Sequence, residues 1–207
     1  MNRLSHPSFR LLTLLACMLP LTACASAFTS KAIDGQVIEE GNHQPIPNAI
    51  VIAKWVGHLA TFAHGKTICY HVLSTTTDKQ GRYQFPAWEK PFTEDWQKNV
   101  TPEYFDVTAF KPGYERSDEY YKTQSGMHNI DILKPFTGTR EERLRYIESV
   151  KQSTASCANQ RAHGKSLIPL YRALYNEAKP LAKTGDEQSI ADGFLSWIKL
   201  IEREPSK

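Results

Sequence analysis

The chain predicts an α+β fold, an N-terminal β-sandwich followed by about three α-helices, and three observations carry that prediction. Between Ile33 and Leu133, short β-branched and aromatic runs alternate with Gly, Pro, Asn and Asp. After Pro135 the apolar spacing changes to that of amphipathic helices. Ahead of both lies a short apolar run behind two arginines. The implied boundaries are 1–23 as a leader, 24–31 as a linker, 32–134 as the sandwich and 135–207 as the helical region.

The leader begins with Arg3 and Arg10 and continues into the apolar run Leu11 to Leu21. A spanning helix needs about 20 apolar residues, so this run has signal-peptide length instead. The sequence Leu21-Thr22-Ala23-Cys24 resembles a bacterial lipobox. That resemblance implies cleavage between Ala23 and Cys24 and a lipid on the Cys24 thiol, which would hold the protein to a membrane. An ordinary signal peptidase cut is the alternative, because Ala23-Cys24-Ala25 and Ala25-Ser26-Ala27 also have the required small residues. By the same resemblance, Ala25 in place of Asp after the cysteine implies an outer-membrane address facing the periplasm.

Removing the leader takes away Arg3 and Arg10, so 23 of the 25 basic residues remain against 22 acidic ones. The whole-chain charge of +3 therefore falls close to neutral. No run of like charge stands out, which argues against nucleic acid as a partner.

Cys17 leaves with the leader and Cys24 takes the lipid, which leaves Cys69 and Cys157. In an oxidising compartment this pair reads as a disulfide closing a loop of about 88 residues. Two other readings stay open: free buried cysteines, and a metal site drawing on His58, His64, Cys69 and His71. The spacing of those four matches no established zinc pattern.

Within the β-rich half, Gln36 to Glu39 is a short strand that ends in the turn Glu40-Gly41-Asn42. Ala49 to Trp55, Thr67 to Thr77, Arg82 to Phe85, Tyr104 to Phe110 and Asn129 to Leu133 complete six strands. A seventh is expected between Pro86 and Val100. In the turn before Arg82, Asp78 is placed to accept backbone N–H bonds and Gly81 to take a positive φ. Tyr83 and Phe85 then share one face and fill the core. Pro45 and Pro47 stiffen the approach to the strand at Ala49 and discourage pairing there. Asp78 is read as structural, not catalytic.

Three motifs occur in order: Gly35-Gln36-Val37 with Pro45-Ile46-Pro47-Asn48-Ala49-Ile50-Val51, then Thr77-Asp78-Lys79-Gln80-Gly81-Arg82-Tyr83-Gln84-Phe85, then Lys111-Pro112-Gly113-Tyr114. Residues 32–134 thereby resemble a carboxypeptidase regulatory-like domain. The resemblance implies a transthyretin-like, seven-strand sandwich. It extends to the accessory domain of zinc carboxypeptidases and not to their catalytic domain, because the His-x-x-Glu metal pair is absent.

The stretch Trp88 to Pro102 is an insertion on that pattern. Trp88, Phe92 and Trp96 lie there among charged residues, as a binding rim or as a lid over a core edge. Tyr114, Tyr120 and Tyr121 offer the same choice.

In the helical region, Thr139-Arg140-Glu141-Glu142 is a capping box that starts a helix, with Leu144, Ile147 and Val150 on its apolar side. A short helix containing Cys157 is expected to end before Gly164. Ser166 is then expected to cap a helix bearing Leu167, Leu170, Tyr171 and Leu174, which Pro180 breaks or kinks. Thr184 opens the last helix, with Ile190, Phe194, Trp197, Ile198 and Ile201 as its stripe. These helices either pack on the sandwich or dock a partner through Trp197.

No Gly-rich phosphate loop, Gly-x-Ser-x-Gly elbow or His-Glu-x-x-His motif occurs. The expectation is a non-enzymatic, membrane-anchored envelope lipoprotein. It would present the sandwich as a binding or assembly module to a protein or cell-wall partner, without cofactor or catalytic residues. The alternative is a metal-dependent or hydrolytic periplasmic enzyme built on the His58, His64 and His71 region.

Overall fold

The computed structural model describes residues 27–61, 64–119, 129–156 and 160–203. Ala23, Cys24, Tyr120, Tyr121 and Cys157 lie outside the described residues. The fold is α+β. Its strands are β1 (Ala27–Ser30), β2 (Ile33–Glu39), β3 (Ile50–Leu59), β4 (Lys66–Thr76), β5 (Arg82–Phe85), β6 (Trp88–Pro91), β7 (Val100–Phe110), β8 (Tyr114–Arg116) and β9 (Asn129–Pro135). A 3₁₀ turn at Asp95–Asn99 precedes β7, and three helices follow: α1 (Arg140–Ala155), α2 (Gln160–Leu181) and α3 (Gly185–Arg203).

The strands form a four-stranded sheet in the order β5-β2-β9-β8, a three-stranded sheet in the order β4-β3-β7, and the ribbon β1-β6. All six expected strands are present, and β6 supplies the one expected between Pro86 and Val100. Strand β1 occupies residues expected to be linker, because Ala27 to Ser30 find a partner in β6, with Ala27 opposite Pro91.

Strand β3 organises the interior. Val51, Ala53 and Trp55 share one apolar cluster with Ile33 and Val37 of β2, Tyr83 and Phe85 of β5, and Leu133 of β9. Ile50, Ile52 and Val56 point the other way, into a second cluster with Leu144, Ile147, Leu170, Leu174, Phe194 and Ile198 of the helices. A strand buried on both faces must be apolar at successive positions, which explains the unbroken Ala49 to Ala53 run. Trp197 packs at the margin of the second cluster, so the helices cover the three-stranded sheet.

Local signals operate as their chemistry dictates. Asp78 Oδ1 accepts from the backbone N–H of Gln80 at 2.9 Å and of Arg82 at 2.8 Å. Gly81 has φ +68°, and a Cβ there would lie 2.5 Å from the Val37 carbonyl oxygen. Thr139 and Glu142 exchange the two bonds of a capping box, and Thr184 and Glu187 do the same for α3.

The expected break near Gly164 is corrected. Helix α2 runs through Gly164, Ser166 and Pro169 without interruption, and Pro180 lies one residue before its end. Packing overrides local propensity here: a Cβ on Gly164 would lie 2.7 Å from Ile201 Cγ1, so glycine lets α2 and α3 approach. Ion pairs then tie the helices to each other. Arg143 of α1 meets Glu177 of α2 at 2.6 Å, and Arg140 meets Glu187 of α3 at 2.8 Å. Buried Lys54 on β3 joins the layers, pairing with Asp106 of β7 at 3.0 Å and donating to the Ser153 carbonyl near the end of α1 at 3.0 Å.

Candidate functional site

Strand β7 is an edge strand, and its two halves differ. Val107, Ala109 and Phe110 are buried, whereas Thr101 to Phe105 are exposed. Beside the buried half, Arg116 donates to the Val107 carbonyl at 3.4 Å and to Thr108 Oγ1 at 3.1 Å. The exposed half has β3 as its only strand partner among the described residues. Four large hydrophobic side chains are exposed among the described residues, and three fall between positions 96 and 105: Trp96 (44%), Tyr104 (57%) and Phe105 (44%).

The register explains their display. Tyr104 lies opposite Val56 and Phe105 opposite Trp55, so the two aromatics emerge on opposite faces of the strand. The ladder then shifts, because Pro102 faces Gly57 and Glu103 has no opposite number. Gly57 is required at that point, since a Cβ would lie 2.8 Å from the Thr101 carbonyl oxygen. A bulge, a proline without N–H and a charged residue blunt this edge against indiscriminate strand pairing. What the edge offers a partner is aromatic side-chain surface.

Of the three residues expected as a rim, only Trp96 is strongly exposed. Phe92 packs against Phe28 of β1 with ring centroids 4.5 Å apart. Trp88 packs edge-on to Trp55 at 5.1 Å and against His71 at 4.1 Å. Tyr104 and Phe105 were legible only as alternating strand residues. Their exposure follows from β7 being an edge, which spacing does not reveal.

The histidines expected as an alternative centre do not assemble. His58 pairs with Thr67 and is exposed, while His71 pairs with Trp55 and is half-buried, about 10 Å further along the strand at 3.3 Å per residue. His64 is exposed in the β3–β4 connection. Among the described residues no group of three His, Cys, Asp or Glu side chains could hold a metal ion.

The β4 edge holds a different arrangement, which spacing did not foretell. His163 on α2 is 5% exposed and donates to the Tyr70 main-chain carbonyl. Burial, followed by the Lys90 charge, pushes the pKa values of both His71 and His163 down to about 4. Asp131 of β9 is also buried, with Tyr83 Oη donating to it at 3.2 Å. Burial raises its pKa to about 7, partly opposed by Arg116. On the four-stranded sheet, a shallow groove of about 520 Å³ is lined by Asp34, Gln36, Arg82 and Gln84. The neighbouring Asp78 carboxylate is already engaged by backbone N–H groups.

Cys69 is the one cysteine among the described residues, 4% exposed and facing the helical cluster. Among the described residues, no helix is long and apolar enough to cross a membrane. No family model, curated protein or solved structure matches the chain.

Proposed function

We propose that this protein is a lipid-anchored envelope protein that docks a protein partner through the exposed half of β7, without catalysis. The carrying observation is the presence of Tyr104, Phe105 and Trp96 at the surface within ten consecutive residues. Tyr104 and Phe105 emerge on opposite faces of the open edge, so a partner that straddles the edge meets both. The lipobox resemblance supplies the anchor. Cys24 lies three residues before β1, whose first residue pairs with Pro91 of β6, so a lipid there would tether the molecule at the β1-β6 ribbon. The resemblance of residues 32–134 to a carboxypeptidase regulatory-like, transthyretin-like domain supports a binding or assembly role, and an outer-membrane site facing the periplasm fits Ala25.

A photo-crosslinking residue at position 104, in cells, tests the docking surface. One discrete adduct is expected, lost on Phe105→Ser and absent when the crosslinker sits at exposed Lys199 of α3. The same adduct from both positions, or none from position 104, overturns it. Lipidation is tested separately by labelled fatty acid, which Cys24→Ser must fail to incorporate.

We also infer a Cys69–Cys157 disulfide that staples the helices to the three-stranded sheet. In sequence Cys157 falls between α1 and α2, and the adjoining ends of both helices reach the sheet, through Ser153 to Lys54 and through His163 to Tyr70. Closing a loop of this length stabilises by roughly 4.6 kcal/mol in the chain-entropy model. Two reactive thiols in unreduced native protein would refute the bond.

A further inference from the structure

We propose that the junction of β4, β6 and the first turns of α2 binds a small oxyanion, a carboxylate or a phosphate-type group. Two buried polar atoms there have no hydrogen-bond partner: Nε1 of Trp88, a donor, and Nδ1 of His163. Buried polar atoms are nearly always paired, so each of these needs a reason. Tyr70, His71 and Lys90 connect the two. The His71 ring lies 4.1 Å from Trp88, the Tyr70 ring lies 6.3 Å from Trp88, and His163 bonds the Tyr70 main chain beside His71.

The charges point to the sign of the ligand. Trp88 and Lys90 alternate with Glu89 along β6, so the lysine shares the face of the tryptophan and Glu89 takes the other. Lys90 is half-buried and makes no ion pair with a carboxylate among the described residues. The groups acting on the two histidines are Lys90 from β6 on both, and His71 and the Tyr70 main chain from β4 on His163. β3 contributes the uncharged Trp55 ring. Cationic or cation-forming groups thus gather with no carboxylate acting on either histidine among the described residues, near the N-terminal end of a 22-residue helix, whose dipole also favours an anion. A metal cation would meet the Lys90 charge, and an oxyanion removes it. An oxyanion would accept from Trp88 Nε1–H and the Lys90 ammonium. His163 would take a proton from solvent at Nδ1 and donate it as a hydrogen bond, keeping its bond to Tyr70.

Binding is therefore proton-coupled and tightens as pH falls. The test uses the full chain in detergent, titrated with inorganic phosphate, sodium acetate or potassium chloride at matched ionic strength. Tryptophan fluorescence and calorimetry are followed at pH 6 and pH 8. Saturable binding of phosphate or acetate is expected at pH 6, weaker at pH 8 by up to about a hundredfold when one full proton is taken up across those two units. The preferred anion identifies the class. Lys90→Met, at a half-exposed position, should weaken binding about tenfold, the worth of one partly screened charge contact. Trp88→Phe should weaken it less and keep the fold. Equal, non-saturating responses to all three salts, or unchanged binding by Lys90→Met, would overturn the site.

Discussion

The two edges of the three-stranded sheet are treated in opposite ways. The β4 side is packed against by the β1-β6 ribbon and the start of α2, which bury His163 and partly bury His71 and Trp88. The β7 edge is left open from Thr101 to Phe105 and protected only by a bulge, Pro102 and Glu103. Covering an edge removes water and makes every polar group there expensive, so its titration and partners matter. Leaving an edge open lets large side chains meet a partner at little cost to the fold.

Trp55 and Phe105 face each other across β3 and β7, yet Trp55 is buried and Phe105 is not. Trp55→Ala should cost about 3–5 kcal/mol in denaturant unfolding, because it empties a site lined by His71, Phe85 and Trp88. A loss below about 1 kcal/mol would show that the covered side is loosely packed.

Next comes the helical cover. Gly164→Val should destabilise by about 1–3 kcal/mol by overpacking against Ile201, with partial recovery in the double change with Ile201→Val. Equal costs for the single and double variants would place the strain elsewhere.

His71 and His163 have folded pKa values near 4, below the ordinary 6.5. The unfolded chain therefore binds more protons between those values, and stability falls as pH drops through that window. The limit is about 1.4 kcal/mol per pH unit for each histidine. Asp131 acts in the opposite sense. Its folded pKa is raised to about 7 from 3.8, so the folded chain binds the extra proton and stability rises as pH falls through that range. Asp131→Asn removes the opposing contribution. Its acid loss, followed by thermal unfolding between pH 7 and pH 4, should be steeper than that of the unaltered protein. Parallel curves would remove Asp131 from the balance.

The smallest effect is expected at the open edge. Tyr104→Ser and Phe105→Ser should each change folding stability by no more than about 0.5–1 kcal/mol while abolishing the crosslink from this surface. Large destabilisation would mean that these aromatics serve the fold.

Much of the β-rich half was legible because its signals are local. The Asp78 to Gly81 turn, the Tyr83 and Phe85 pair and the two helix caps depend on residues no more than a few positions apart. The helical stripe of Phe194, Ile198 and Ile201 was legible for the same reason. Trp88 and Phe92 were harder, because an aromatic in a polar stretch reads alike whether it rims a surface or plugs an edge. His163 carried no signal at all, since its surroundings come from β4 and β6, some seventy to ninety residues earlier.

By itself, then, the amino-acid order determined the α+β class, six strands, the caps at Thr139 and Thr184 and the turn chemistry, all of them consequences of periodicity and short-range hydrogen bonding. Tertiary structure alone decided that β3 is buried on both faces, that Gly164 continues a helix and that Trp88 turns inward onto His71. It also decided that one sheet edge is covered while the other is open. Each of those outcomes depends on which distant segment excludes water from a given residue, and no local pattern encodes that.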